Sequence, residues 1–451
     1  MGERSSSAPG HAAGGSDVDV DVDVARLQRR VLQVTVVAQL LGGAGLAAGI
    51  TVGALLAEDV LGSTGWAGIP SALFTAGSAM AALVLGRLSQ AYGRRVGLAV
   101  GYGAGAVGSA GIVLGATADQ PLLLLAAMTV YGSGTAANLQ ARYAGADLAP
   151  PDGRARAIST VLVATTLGAV AGPNLVVWTG RLAVDAGLPA LCGPFVLAAV
   201  AYAAAALVLA ALLRPDPLLV ARRLARTPDE MPAPPVTDDP APAADAGQRR
   251  LGGAWRASSG SVSLAATAMV LTTLVMAAVM TMTPVHLRDH GHGLGPVGVV
   301  IGVHVACMYL PSPVSGWLAD RYGRPPVLAL AGLTLLSAGL VAALAPGDSV
   351  VLLAVALGLL GLGWNLGLVG GTAMLTDVTA PGQRARIQGN VDLVVALGGA
   401  TGGVSSGVVV AMGGFDLLGW CGAVLSLLLL PAVIRAGRDP APAVQTAPSR
   451  T

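Results

Sequence analysis

The chain has 451 residues, of which 54 % are hydrophobic and only 11 % charged, against roughly 25 % charged in soluble domains. Its mean hydropathy is +0.71, and a soluble protein of this size has too little interior to hide that much apolar surface, so the composition excludes a soluble enzyme and indicates an integral membrane protein. The formal charge is +2, and all 26 basic residues are arginines in short clusters between apolar runs, unlike the continuous basic face of a nucleic-acid-binding protein.

The first 30 residues are polar, with an Asp-Val alternation at 17–24. They lack an apolar core followed by a small-residue cleavage site, so no cleavable signal is predicted, and 1–30 reads as a disordered cytoplasmic tail. A membrane-crossing helix needs about 20 mainly apolar residues. Such runs follow at 31–57, 66–85, 96–117, 122–144, 157–179 and 191–213, then at 261–284, 294–315, 326–345, 350–375, 387–412 and 416–434. The predicted fold class is an all-α membrane protein with twelve transmembrane helices. Residues 31–213 form an N-terminal six-helix bundle and 261–434 a C-terminal one. Between them, 214–260 is rich in Pro, Ala, Asp and Arg and has no apolar period, which reads as a flexible cytoplasmic linker; 435–451 is a second cytoplasmic tail.

Arginine placement sets the orientation. With the N-terminus inside, 24 of the 26 arginines fall in the tails, the linker and the inner loops, Arg142, Arg154 and Arg156 included; only Arg181 and Arg288 fall outside. A multi-pass protein of the cell (plasma) membrane with both termini cytoplasmic is expected. Cys192, Cys307 and Cys421 are far apart and odd in number, so they form no disulfide framework and read as space-filling residues.

Two loops recur at one offset of 230 residues. Residues 86–95, GRLSQAYGRR, match 316–325, GWLADRYGRP, at five of ten positions, and 147–156, DLAPPDGRAR, match 377–386, DVTAPGQRAR, at five of ten. An offset of six spans keeps the topology parallel, which relates the two bundles by an axis along the membrane normal. On these residues the chain resembles the major facilitator superfamily over 31–434. The family's loop G-x-L-x-D-R-x-G-R-R is matched here by Gly316, Leu318, Asp320, Arg321, Gly323 and Arg324, and the resemblance implies a gating role for this loop. In the first copy Gly86, Gly93 and Arg94 match, but Gln90 and Ala91 replace the Asp-Arg pair, which leaves a charge latch there open. Gly168-x-x-x-Gly172-Pro173 in the fifth span is similar to a Gly-Pro element of family antiporters, or serves packing.

Ionisable groups are scarce within the spans, and an intramembrane one is a functional candidate because burying it is costly. Asp392, in the eleventh span, is a candidate for coupling, or else faces cytoplasmic water or pairs with Arg386. Glu58 and Asp59 fall at the outer mouth of the first span. His304 has company: four of the five histidines lie within 19 residues, and five of the eleven methionines lie between 269 and 308. Met276-x-x-x-Met280 and His304-x-x-x-Met308 each place two side chains on one helical face, about 5–6 Å apart at Cβ. At ~1.5 Å per residue, Met276 and His304 lie at matched depth on neighbouring antiparallel spans. Thioether sulfur with imidazole favours Cu(I) over hard cations, and His286, His290 and His292 in the outer loop are placed to gather metal at the entrance. Met as a gap-filler is the plain alternative.

The paired pattern resembles that of CcoA-type copper importers, a branch that also includes riboflavin transporters. The resemblance implies Met276, Met280, His304 and Met308 as copper ligands, with copper as transported substrate rather than cofactor. The expected function is transport of a small solute by alternating access, as Cu(I) import or as import or export of a riboflavin-like or drug-like organic solute. No nucleophile, base and orienting acid recur at catalytic spacing, and no phosphate-cradling loop precedes a helix, so neither an enzyme nor a cofactor is expected. The expected partners are the solute and the lipid bilayer, and the expected state is a monomer.

Overall fold

Lipid offers no hydrogen bonds to backbone groups, so apolar runs must satisfy them internally as helices. The computed structural model describes residues 15–61, 69–225 and 244–430, which contain helices, turns and no strand. The first group is α1 (Gly15–Leu61), α2 (Ile69–Tyr92), α3 (Arg94–Thr117), α4 (Pro121–Ala146), α5 (Arg154–Asp185) and α6 (Gly193–Leu212). After the short α7 (Pro217–Leu224) come α8 (Ala244–Asp289), α9 (Leu294–Tyr309), α10 (Ser312–Tyr322), α11 (Arg324–Leu344), α12 (Val350–Val378) and α13 (Arg384–Leu427).

Where their residues are described, all twelve predicted spans fall mainly on helix. The eighth is broken into α9 and α10, where Pro311 and Pro313 withhold backbone donors. The eleventh and twelfth share α13, which is interrupted at Gly413 and Gly414; Gly414 has φ 77°, a left-handed conformation open to glycine. Nine stretches among the described residues are long and apolar enough to cross a membrane. Outward-facing apolar residues such as Leu122 (83 % exposed) and Val404 (77 %) suit lipid contact.

Three sequence boundaries move. The tail 1–30 is partly helical: α1 starts at Gly15, and its early turns are anchored where Gln28 Nε2 donates to the Gly145 carbonyl at 2.6 Å. Extending an existing helix needs no new nucleus. The stretch 214–260 is not uniformly featureless either. Asp216 Oδ1 accepts the backbone N–H groups of Leu218 and Leu219 (3.0 and 3.2 Å), with Pro217 in the first turn, so α7 begins with a capped N-terminus and buries Leu218 and Ala221. At its other end α8 starts at Ala244. Residues 1–14, 62–68, 226–243 and 431–451 lie outside the described residues, as do the side chains of Glu58, Asp59 and Pro173.

One apolar core fills the space among α1–α7, tied by a buried polar chain in which Tyr102 OH donates to Gln39 Oε1 (2.6 Å) and Gln39 Nε2 to Thr165 Oγ1 (2.8 Å). A second core straddles the groups: Tyr143, Ile158 and Leu162 pack with Met269, Tyr309 and Val391. A third belongs to the second group alone, including Val275, Leu353 and Phe415. The groups meet mainly as α2 against α13 and α5 against α10. Both contacts lie toward one end of the molecule, which also carries Arg94, Arg154, Arg324 and Arg384. A Cβ added to Gly86 would stand 2.7 Å from the Gly389 Cα, so backbone meets backbone there.

Candidate functional site

At the arginine-rich end the 230-residue repeat becomes a pair of cross-group latches. Gly93 and Gly323 have φ values of 93° and 91°, so each turn before α3 and α11 needs the left-handed freedom of glycine. Asp320, on α10, accepts the N–H groups of Ala155 (3.0 Å) and Arg156 (3.0 Å), the first residues of α5, and the Arg156 guanidinium at 3.3 Å. A carboxylate on a helix N-terminus meets both unpaired donors and the positive dipole end. Arg324 holds Asp320 (3.1 Å) and Asp377 (2.9 Å), and Arg154 reaches Asp377 at 2.7 Å. Arg321 is exposed.

Gln90, one repeat earlier than Asp320, makes the equivalent contact without a charge. Its Oε1 accepts Arg386 N at 3.2 Å, at the start of α13, and its amide nitrogen donates to the Gly382 carbonyl. The linker braces this weaker side: Arg222 of α7 donates to Gln90 O and to Pro381 O (3.2 Å), while Asp216 accepts Arg95 N at 2.7 Å. Deeper in, Arg94 binds Asp147 (2.8 Å) and Gln388, and Arg384 stands 3.5 Å from Asp147. Asp320→Asn removes a charged acceptor of two N–H groups at a buried position, a loss of about 2 kcal/mol. Maleimide labelling of a thiol at position 159 (Ser159→Cys), which sits under Gly316 on this interface, should therefore accelerate roughly tenfold or more.

Between the latches a buried ion pair joins the two groups. Arg142 of α4 meets Asp392 of α13 at 2.7 Å, with side-chain exposures of 1 % and 7 %. Tyr143 OH donates to the same Asp392 oxygen, Oδ1, at 3.0 Å, and Arg142 Nε donates to Thr372 Oγ1 of α12 at 3.0 Å. The Arg142 guanidinium lies 4.4 Å from the centre of the Tyr143 ring, and Arg94 lies 5.5 Å from it. Asp392 Oδ2 is buried with no hydrogen-bond partner. Two sequence expectations are corrected here. Asp392 pairs with Arg142 rather than Arg386 or open water, and Arg142 is a core residue rather than a loop anchor. The readable signal was an arginine inside the predicted span 122–144.

His304 is fully buried and turned to α12: its Nδ1 donates to the Leu357 carbonyl at 2.9 Å. That bond commits the hydrogen to Nδ1 and leaves Nε2 a free acceptor, and Nε2 is buried without a partner. Met276 and Met308 both border the second core, and Met276 and Met280 the third. The expected close α8–α9 pairing is loose, because α9 packs chiefly against α12 and meets α8 at few points. Asn365 of α12 donates to the Met308 carbonyl at 2.7 Å. The outer histidines make local contacts: His286 stacks on Phe415 and lies beside His290 (both 4.3 Å), and His292 Nε2 donates to Asp348 O at 3.1 Å. Among the described residues no three His, Cys, Asp or Glu side chains gather as a metal group.

The family model for the Major Facilitator Superfamily matches residues 35–311 and 292–451. The chain is 50 % identical over 408 residues to the uncharacterized MFS-type transporter YdeG of Bacillus subtilis, covering 90 % of this chain and 92 % of that one. It is 32 % identical over 413 residues to the riboflavin transporter RfnT of Brucella anthropi, covering 90 % and 96 %. Among solved structures it is similar in fold to the human organic anion transporter MFSD10, with a TM-score of 0.69 and 18 % identity, covering 90 % of this chain and 99 % of that one.

Proposed function

The chain belongs to the major facilitator superfamily, and from that premise we propose that it imports Cu(I) across the cell membrane by alternating access, with both termini cytoplasmic. The six-helix halves, 31–213 and 261–434, rock against each other as one monomer. The arginine-rich end is the cytoplasmic one, in keeping with the arginine partition, and it is closed by the latches described above. The observation that carries the cargo reading is His304 Nε2, an acceptor buried without a partner on the helical face that also bears Met308. A neutral imidazole whose other nitrogen is fixed by a carbonyl is a ready metal ligand. With the thioethers of Met276, Met280 and Met308 it makes a soft, uncharged donor set suited to Cu(I), and an empty site of this kind puts no net charge into the membrane.

A second reading, a riboflavin-like organic solute, is favoured by the full-length similarity to a riboflavin transporter. One experiment separates them. Cells lacking their own uptake systems, carrying the wild type, Met280→Ser or His304→Leu, are given copper or riboflavin at low concentration. The copper reading expects accumulation at least about tenfold lower in both variants than in the wild type, a loss of 1.4 kcal/mol or more in ligation. Copper uptake equal in all strains and in cells without the protein ends that reading. Riboflavin uptake that both variants retain establishes the second.

A further inference from the structure

His286 and His290 stand one helical turn apart where α8 ends, on the face of the molecule opposite the arginine-rich end, with His290 exposed and His286 half-buried. Their ring centres are 4.3 Å apart and the rings are inclined at 49°. Each ring is held in place by a separate contact. His286 stacks on Phe415 at 4.3 Å and 19°, just after the break in α13, and its nitrogens make no hydrogen bond among the described residues. His290 Nδ1 donates to the His286 carbonyl at 2.8 Å, which commits the hydrogen there and leaves Nε2 an acceptor. A metal-binding imidazole is ordinarily fixed in this way, by a carbonyl on its second nitrogen. Gly347 leaves His290 Nε2 its room, because a Cβ there would stand 2.1 Å from it. Asp416 and Asp289 act on His286 by Coulomb attraction, so the surroundings favour a cation.

We propose that His286 and His290 form a two-imidazole site for a divalent late transition metal, Cu(II) above all, with water completing the coordination. The ring separation chooses the ion. A metal about 2 Å from each nitrogen lies roughly 3.2 Å from each ring centre. With the centres 4.3 Å apart, two such arms meet at an angle of about 85°. That angle suits neighbouring corners of a square plane, the geometry of Cu(II) and Ni(II), and falls short of the about 109° of tetrahedral zinc. Of the divalent first-row ions, Cu(II) binds nitrogen donors most tightly. Spacing of i,i+4 makes attachment of the second nitrogen intramolecular, so the pair retains an ion that one imidazole would release. His292 stays outside: its Nε2 hydrogen is spent on Asp348 O at 3.1 Å, and its ring stacks with neither of the pair. Two side-chain ligands are fewer than a structural site employs, so the ion exchanges freely at this rim.

Met276, Met280, His304 and Met308 take no part, and the site involves neither transport nor a change of oxidation state, so it stands or falls apart from the cargo reading. Untagged full-length protein in detergent is titrated with Cu(II) alone and followed by electron paramagnetic resonance. The wild type should give a square-planar signal split by two nitrogens. His286→Ala and His290→Ala should each lose that signal and weaken the binding at least about tenfold. His292→Ala should leave it unchanged, as should His304→Leu, which on the cargo reading ends copper uptake. A wild-type copper bound through a single nitrogen, a result that needs no variant to fold, overturns the proposal. So does a signal that persists in His286→Ala or His290→Ala, or one that disappears in His292→Ala or His304→Leu.

Discussion

Arg142→Met should be among the most damaging single substitutions in the molecule, and adding Asp392→Leu should recover most of what it loses. Alone, it leaves Asp392 charged in a site only 7 % exposed, with Tyr143 as its one remaining partner. Breaking a buried pair by removing one member costs about 3–5 kcal/mol, whereas replacing both members with apolar residues of similar volume is often neutral or better. The expected result is a large fall in the fraction of protein that stays monodisperse after heating in detergent, and near-wild-type behaviour in the double variant. A double variant no better than the single would show that Arg142 matters for its bonds to Thr372 and the Leu139 carbonyl and not for the charge pair.

Gly86→Leu, and separately Gly389→Leu, should abolish transport while leaving the protein folded. In the closed arrangement a Cβ on Gly86 meets the Gly389 Cα at 2.7 Å and the Ala385 carbonyl at 2.9 Å, and a Cβ on Gly389 meets the Ala82 carbonyl at 2.8 Å. These obstacles are backbone, which cannot rotate away, so relief requires separating α2 from α13. Each half packs its own core, so the cost falls on the closed state and not on folding. Uptake should drop by more than about tenfold, since a state raised by only 1.4 kcal/mol already loses that much population, while the thiol at Ser159→Cys becomes permanently reactive. Gly86→Ala with unchanged uptake would show that the interface can spread by a few tenths of an ångström.

The latches differ in kind, and that difference is testable on its own. Gln90→Asp would set a carboxylate over the N-terminus of α13, as Asp320 does for α5, and would lose the amide's bond to the Gly382 carbonyl. The gain from a charge at a helix N-terminus is about 0.3–1 kcal/mol. Opening and turnover should slow by a few-fold, most at low ionic strength, and high salt should erase the change.

The helices were readable because their signal is local. Twenty apolar residues in a row have few alternatives in lipid, and arginines kept to one side set the count. The repeat also announced its two loops, and Gln90 was visible as the position where the copies diverge. What each loop grips was not visible, because Asp320 binds a backbone 165 residues away and Gln90 one 296 away, and sequence spacing says nothing about such contacts. Arg142 was misassigned because a rule that counts arginines near span ends cannot tell one just inside from one just outside; α4 runs on to Ala146 and carries it into the core. The eight residues of α7 are too short for any span-length pattern, although the Asp216-Pro217 start was a legible cap. The His304–Leu357 bond lies beyond sequence reasoning because neighbours in the chain need not be neighbours in the bundle: α9 settles on α12.

The central claim is that the arginine-rich end is a gate, closed here by contacts between the halves and open in the other half of the cycle. Distances between spin labels test it directly, one pair at Tyr92→Cys and Tyr322→Cys, exposed on α2 and α10, and another at Val184→Cys and Leu344→Cys on the opposite end. Two populations are predicted at each end, in opposition, with Arg142→Met enriching the long distance between 92 and 322 and the short one between 184 and 344. A single unchanging distance between 92 and 322, in the wild type and in Arg142→Met alike, in protein that still transports would contradict it.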